Sequence, residues 1–217
     1  MKRYDTVLFD LDGTLTDPGV GITKSVEYAL NRYGISVSDR AELYPFIGPP
    51  LIDSFMKYYG FSKEKAVEAV EVYREYFRVK GLYENEVYPG VTELLKALKE
   101  AGKTLLIASS KPEKFVLTIL EHFDLLPYFD FVGGASMDEI RSKKEDVLRY
   151  VLEQGKANPE TSVMVGDRKF DVEGAHAFGM DAVAVTYGYG SMEELTEAKP
   201  KYLANSPQEI LSILTTK

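Results

Sequence analysis

The apolar positions of this chain change their period along its length, and the changes divide it into elements. Residues 4 to 10, YDTVLFD, form a short β-branched and aromatic run that ends in a carboxylate and predicts a strand. From about Pro18 to Tyr83 the apolar residues recur at three- and four-residue spacing, as helices require. Ile22, Val26, Ala29 and Leu30 share one predicted helix face, and Val67, Val70, Tyr73 and Phe77 share another. The aromatics of this stretch, including Tyr58, Tyr59, Tyr73, Tyr76 and Phe77, are assigned to its core. Gly48-Pro49-Pro50, within FIGPPL, predicts a stiff connection between helices.

After Tyr88-Pro89-Gly90 the pattern becomes an alternation of helix and strand. VTELLKALKEAG reads as a helix stopped by Gly102, TLLIAS as a strand, and PEKFVLTILEHF as a helix with Pro112 in its first turn. Next come FVGGA as a strand, KEDVLRYVLEQ as a helix, TSVMVGD as a strand, VEGAHAFG as a short helix and AVAVT as a strand. SMEELTEA and PQEILSIL close the chain as helices. Alternating βα units imply an α/β fold, a Rossmann-like doubly wound parallel sheet, whose ligands bind at the carboxyl ends of the strands. The domain reading is an α/β core of residues 1–16 and 85–217, with an all-helical insert at 17–84. No internal repeat or low-complexity tract interrupts it.

Composition narrows the chemistry. The 217 residues are 45% hydrophobic, enough for one good core and a smaller accessory one. Cysteine is absent, so thiolate metal sites, disulfides and thiol switching are excluded, and a cytoplasmic location is expected. The apolar run before Asp10 is too short to span a membrane, and no membrane partner is expected. The net charge of −8, with lysines and arginines scattered among glutamates, argues against binding a nucleic acid polymer. An acidic chain must build any phosphate site locally, from amides, a few cations and a metal ion.

Three segments place reactive groups at predicted strand ends. In FDLDGTLTD, Asp10 and Asp12 are two residues apart and point the same way in extended chain, and Gly13 permits a tight turn. A carboxylate can attack phosphorus and divide a slow hydrolysis into two easier steps, a role that fits Asp10. A second acid can protonate the leaving oxygen and then activate water, a role that fits Asp12. The same segment also reads as an ordinary Asp/Gly turn. Asp10 and Asp167, at the end of TSVMVGD, suffice as protein carboxylates for Mg²⁺, which takes most of its remaining oxygens from water and phosphate. Ser109 ends its strand where a hydroxyl can donate to a phosphoryl oxygen. Ser110-Lys111-Pro112-Glu113 matches a capping box, so Ser110 is read either as a helix cap or as a second phosphate ligand. Lys144, in RSKKEDVL, is the candidate cation for the charge that develops during phosphoryl transfer. Asp171, near a helix start, also suits a cap. His122 and His176 lie within predicted helices and are read as structural.

DLDGTLTD, IASSKP, the lysine of KKEDVL and VGDRKFDVEGA occur in the order of the four motifs of the haloacid dehalogenase-like phosphatase superfamily. The chain most resembles its phosphoglycolate phosphatase-like and 5′-nucleotidase-like members, over nearly its whole length, with residues 17–84 as an alpha-helical cap. The resemblance implies a Mg²⁺-dependent phosphatase acting on a small-molecule phosphate monoester through an aspartyl phosphate on Asp10. It makes Asp10 nucleophile and metal ligand, and Asp12 the acid/base whose backbone carbonyl also meets the metal. Ser109 and Lys144 hold the phosphoryl group, Asp167 binds the metal, and Asp171 supports the metal's waters or Lys144. Many relatives carry threonine then asparagine where this chain has Ser109 then Ser110, which separates it from a strict glycolate analogy. Asp12 argues against a dehalogenase, which needs no leaving-group acid. A sugar phosphomutase and a phosphoacceptor switch are the alternatives. Monomer and homodimer are equally compatible with the sequence.

Overall fold

The computed structural model describes residues 4–138 and 140–215. The chain divides into two compact units, one of Met1–Thr16 with Val87–Lys217 and one of Asp17–Glu86.

The first unit is built on six strands: β1 (Thr6–Phe9), β4 (Thr104–Pro112), β5 (Phe131–Ala135), β6 (Ser162–Gly166), β7 (Asp181–Val185) and β8 (Tyr202–Ala204). They form one sheet in the order β5-β4-β1-β6-β7-β8, with every pairing parallel. β1 pairs with β4 and β6 in matched register, Phe9 lying opposite both Ile107 and Val165. From β1 the chain proceeds to β4 and β5 on one side, then returns to β6, β7 and β8 on the other. β1 and its two neighbours are therefore the point where the winding reverses, and their carboxyl ends are where such a sheet opens a ligand crevice.

Helices explain why these strands are continuous apolar runs. α4 (Val91–Glu100), α5 (Glu113–His122), α6 (Lys144–Gln154), α7 (Lys169–Ala177), α8 (Met192–Ala198) and α9 (Pro207–Thr215) belong to this unit. Leu8, Leu106 and Met164 from the sheet pack with Val147, Leu148 and Val151 of α6 and Val172 and Ala175 of α7 in one fully buried cluster. A strand covered on both faces has no polar side to alternate with.

The second unit contains α1 (Gly19–Arg32), α2 (Leu51–Tyr59) and α3 (Lys63–Tyr76), with a seven-residue 3₁₀ stretch at Arg40–Phe46 and one π-turn at Phe77–Gly81. The predicted α1 face is buried in full. Val70 and Tyr73 of α3, and Phe77 at the start of the π-turn, are buried as expected, but Val67 is 45% exposed and Ala66 and Ala69 complete the face instead. Tyr58 is also exposed, because α2 turns Phe55 inward, where it meets Phe46 at 5.0 Å and stacks on Phe61 at 5.8 Å. The chain passes between the units through β2 (Thr16–Asp17) and β3 (Glu86–Val87), which form a two-stranded sheet.

The predicted elements of the first unit recur with small shifts, and two differences stand out. β8 was not predicted, since its three residues lie among lysine, proline, asparagine and serine. The capping box at Ser110 does not form. β4 continues through Pro112, α5 starts at Glu113 with no side-chain cap, and the Glu113 carboxylate accepts from the Gly134 N–H at 3.2 Å. Pairing with β5 keeps this segment extended, because a sheet ladder satisfies more backbone groups than one cap does.

Candidate active site

The carboxyl ends of β1, β4 and β6 bring together residues as far apart in the sequence as Asp10 and Asp171. Asp10 follows β1, and its Oδ1 accepts from the Leu11 N–H at 2.8 Å. The chain then turns sharply, with Gly13 at φ 77°, where a side chain would be strained. A Cβ at Gly13 would also stand 2.1 Å from an Asp167 carboxylate oxygen, so this turn and the end of β6 can meet only through glycine.

Asp167 is fully buried. Its Oδ2 accepts from the Tyr189 N–H at 2.7 Å, and the Thr14 hydroxyl makes a longer contact to its Oδ1 at 3.5 Å. Gly188 closes the other side, where a Cβ would lie 2.4 Å from both the Asp167 Cβ and the Gly13 carbonyl. The Tyr187 hydroxyl donates to the Thr14 carbonyl at 2.9 Å. The loop after β7 thus clamps both the first turn and Asp167. The sequence reading did not find this loop, although two glycines alternating with tyrosines in TYGYGS are the trace of a close backbone approach.

Asp171, in the first turn of α7, serves two partners. Its Oδ2 accepts from the Arg168 N–H at 3.0 Å, which caps the helix, and its Oδ1 pairs with Lys144 Nζ at 2.7 Å. Lys144, the first residue of α6, reaches back to the sheet, where its Nζ lies 3.0 Å from Asp10 Oδ1 and donates to the Ala108 carbonyl at 2.8 Å. The helix-start lysine is therefore buried among carboxylates and not solvated. Ser109 is buried one residue beyond that carbonyl, while Ser110 is half-buried. His122 and His176 are exposed on α5 and α7.

A further cation, from the segment whose sequence matches a capping box, joins the site. Lys111 is buried, and its Nζ lies 2.8 Å from Asp12 Oδ1.

The electrostatics are those of acids crowded out of water. Burial, with Asp171 and Asp10 nearby, pushes the Asp167 carboxyl well above the usual range. Burial also raises Asp12; Lys111 works against this and Asp10 adds to it, and the net direction is upward. Asp171 is pushed up to about 6 by burial and Asp10, with Lys144 opposing. For Lys144, burial alone would lower the pKa, but Asp10 and Asp171 outweigh it and hold the ammonium charged. One oxygen each from Asp10, Asp167 and Asp171 lie within 4.8 Å of one another. Three buried carboxylates, two of them sharing Lys144, form a donor set that could hold a hard metal ion.

A parallel sheet of this order, with two acids after β1, a buried serine toward the end of β4, a lysine opening α6 and two acids around the β6–α7 turn, defines a class of protein. The chain belongs to the haloacid dehalogenase-like hydrolases, whose family it matches over residues 7–185. It is 48% identical over 200 residues to the 5′-nucleotidase of Pseudomonas aeruginosa, covering 92% of this chain and 90% of that protein. It is 30% identical over 222 residues to the phosphoglycolate phosphatase of Vibrio vulnificus, covering 98% and 97%. It is also 42% identical over 184 residues to the tyrosine-protein kinase PtkA of Mycobacterium tuberculosis, covering 85% of this chain but 62% of that longer protein. Among solved structures it resembles that of a predicted phosphatase from Clostridium acetobutylicum, with TM-score 0.96, 48% identity, and coverage of 98% and 99%. The chain is a phosphatase, a phosphoric monoester hydrolase. No helix among the described residues is long and apolar enough to cross a membrane.

Proposed function

We propose that this phosphatase is Mg²⁺-dependent and hydrolyses a small-molecule phosphate monoester through an aspartyl phosphate on Asp10. The observation that carries the reading is the placement of Asp10 within 3.0 Å of the Lys144 ammonium and inside the three-carboxylate cluster, with Asp12 two residues on at the same strand end. Asp10, Asp167 and the Asp12 backbone carbonyl would hold the metal ion, with Asp171 supporting its waters and Lys144. Bound there, Mg²⁺ would neutralise the carboxylates and draw the phosphoryl oxygens toward Asp10.

The chain's own groups do the rest. Lys144 and the Ser109 hydroxyl bind the phosphoryl oxygens, with Ser110 as an adjoining donor. An Asp10 oxygen attacks phosphorus as Asp12 protonates the departing alcohol, and Asp12 then takes a proton from the water that releases inorganic phosphate. The helical unit, residues 17–84 in this reading, acts as the cap and selects the alcohol. A 5′-nucleotide is the first candidate substrate, on the strength of the 48% identical nucleotidase, and phosphoglycolate is the second.

The test is release of inorganic phosphate from a panel of esters containing both, with and without Mg²⁺, for wild type and Asp10→Asn. Release that requires Mg²⁺ and falls below about one part in a thousand in the variant is expected for loss of a nucleophile. An Asp10→Asn protein retaining several per cent of wild-type turnover would overturn the assignment.

A further inference from the structure

The acid of this scheme, Asp12, is held by a lysine that the scheme does not use. Lys111 and Asp12 pair at 2.8 Å with side chains only 5% and 9% exposed. Local structure is arranged to deliver this lysine. The pairing of β4 with β5 shifts register between Ser109 and Pro112, an irregularity of the kind that re-aims side chains beside active sites. Gly134 on β5 makes room for it, since a Cβ there would lie 2.6 Å from the Lys111 carbonyl oxygen and equally close to the Glu113 Cα. The Lys111 N–H donates to the Ser109 hydroxyl at 3.3 Å, so one backbone segment sets both side chains.

We propose that Lys111 is a positioning residue for protonation of the leaving group: by engaging Oδ1 of Asp12, it leaves Oδ2 as the oxygen that carries the proton to the ester. The inference builds on the roles proposed for Asp10 and Asp12. An ammonium group only donates, and the carbonyl oxygen of a neutral carboxyl is a better acceptor than its hydroxyl oxygen, so Lys111 on Oδ1 favours the proton on Oδ2. When Asp10 attacks, the bond from phosphorus to the leaving oxygen breaks, its electron pair goes to that oxygen, and the oxygen takes the Oδ2 proton. The Asp12 carboxylate so formed already has a cation beside it. In the return step water attacks phosphorus and gives its proton to Oδ2. The Asp10–phosphorus bond breaks, restoring the Asp10 carboxylate and releasing inorganic phosphate.

The experiment compares kcat/KM, with Mg²⁺ present, for p-nitrophenyl phosphate and an alkyl ester, glycerol 3-phosphate. Nitrophenolate departs without a proton, and an alkoxide does not. Lys111→Met is expected to lose about tenfold more on the alkyl ester than on the aryl ester, a modest part of what general acid catalysis supplies. Lys111→Gln, which keeps a donor without the charge, should show a smaller gap and serves if the methionine variant does not fold; Lys111→Arg should restore most of the wild-type ratio. Equal losses on both esters would reduce Lys111 to a packing role and overturn the inference. Where glycerol 3-phosphate is not turned over, the best alkyl ester of the panel replaces it, and wild type inactive on every ester would overturn the proposed reaction itself, an outcome distinguishable from the first.

Discussion

Asp167 shows most sharply how single residues make this site, because its surroundings suit a cation and little else. Its carboxyl is raised by burial and by two neighbouring acids. A carboxyl whose pKa is raised in the fold destabilises the native state as pH rises through and above the ordinary carboxylate range, since the unfolded chain ionises there freely. The metal-free protein should therefore gain thermal stability at neutral pH from Asp167→Asn, while Mg²⁺ should raise the melting temperature of wild type and not of the variant. A variant less stable than metal-free wild type, or stabilised equally by Mg²⁺, would contradict this. Asp10, Asp12, Ser109, Lys144, Asp167 and Asp171 are the residues the sequence proposes for the site, and all six are buried. Asp10, Asp12 and Asp167 follow apolar strands and Lys144 and Asp171 lie in the first turns of helices, so position along the chain directs these five toward one edge of the sheet. Lys111 was not legible in this way. SKPE satisfies the local pattern of a capping box, and only pairing with β5 decides that the strand continues. Tyr187 and Tyr189 were hidden for a related reason, as their partners Thr14 and Asp167 lie 173 and 22 residues away.

Elements hold these residues through a few ties between neighbours. The start of α7 is pinned to α8 by Glu194, whose carboxylate accepts from Arg168 Nε at 2.9 Å and from the Lys169 N–H at 3.0 Å. Both donors immediately follow Asp167, so this tie fixes the turn that carries the acid proposed to bind the metal. Burial would raise the Glu194 carboxyl, but Arg168 and the Lys169 amide outweigh it and hold the pKa below the usual glutamate value. A depressed carboxyl contributes stability that is present above its unfolded pKa and lost as pH falls through the folded one. Glu194→Gln should consequently lower the melting temperature at pH 7, with the difference from wild type shrinking as pH drops from about 5 toward 3. A difference unchanged across that range would show that the tie is not ionic. The helices and strands of the alternating region were readable from period alone, since each buries a full face. β8 escaped because three residues at a sheet edge carry too little pattern, and Val67 and Tyr58 misled because α3 and α2 bury narrower stripes than their apolar residues suggest.

At the scale of the whole molecule, a chain of net charge −8 binds an anion by concentrating cations and amides at one place. Reversal of winding at β1 makes that place, bringing the ends of β4 and β6 to either side of Asp10. The fold class was legible from the alternation of periods, because βα repeats admit few arrangements other than a parallel sheet. What the alternation could not convey was which strand ends become neighbours, and therefore that Lys111 would face Asp12. The proposed mechanism requires that phosphorus be bonded to Asp10 during turnover. Its most direct test is acid quenching of the Mg²⁺-loaded enzyme in the steady state, followed by peptide mass analysis. The account predicts a gain of about 80 Da on the peptide that contains Asp10, absent from Asp10→Asn and lost on mild alkaline treatment as an acyl phosphate requires. Phosphate found on a different peptide, or phosphate release by Asp10→Asn at a rate near that of wild type, would contradict it.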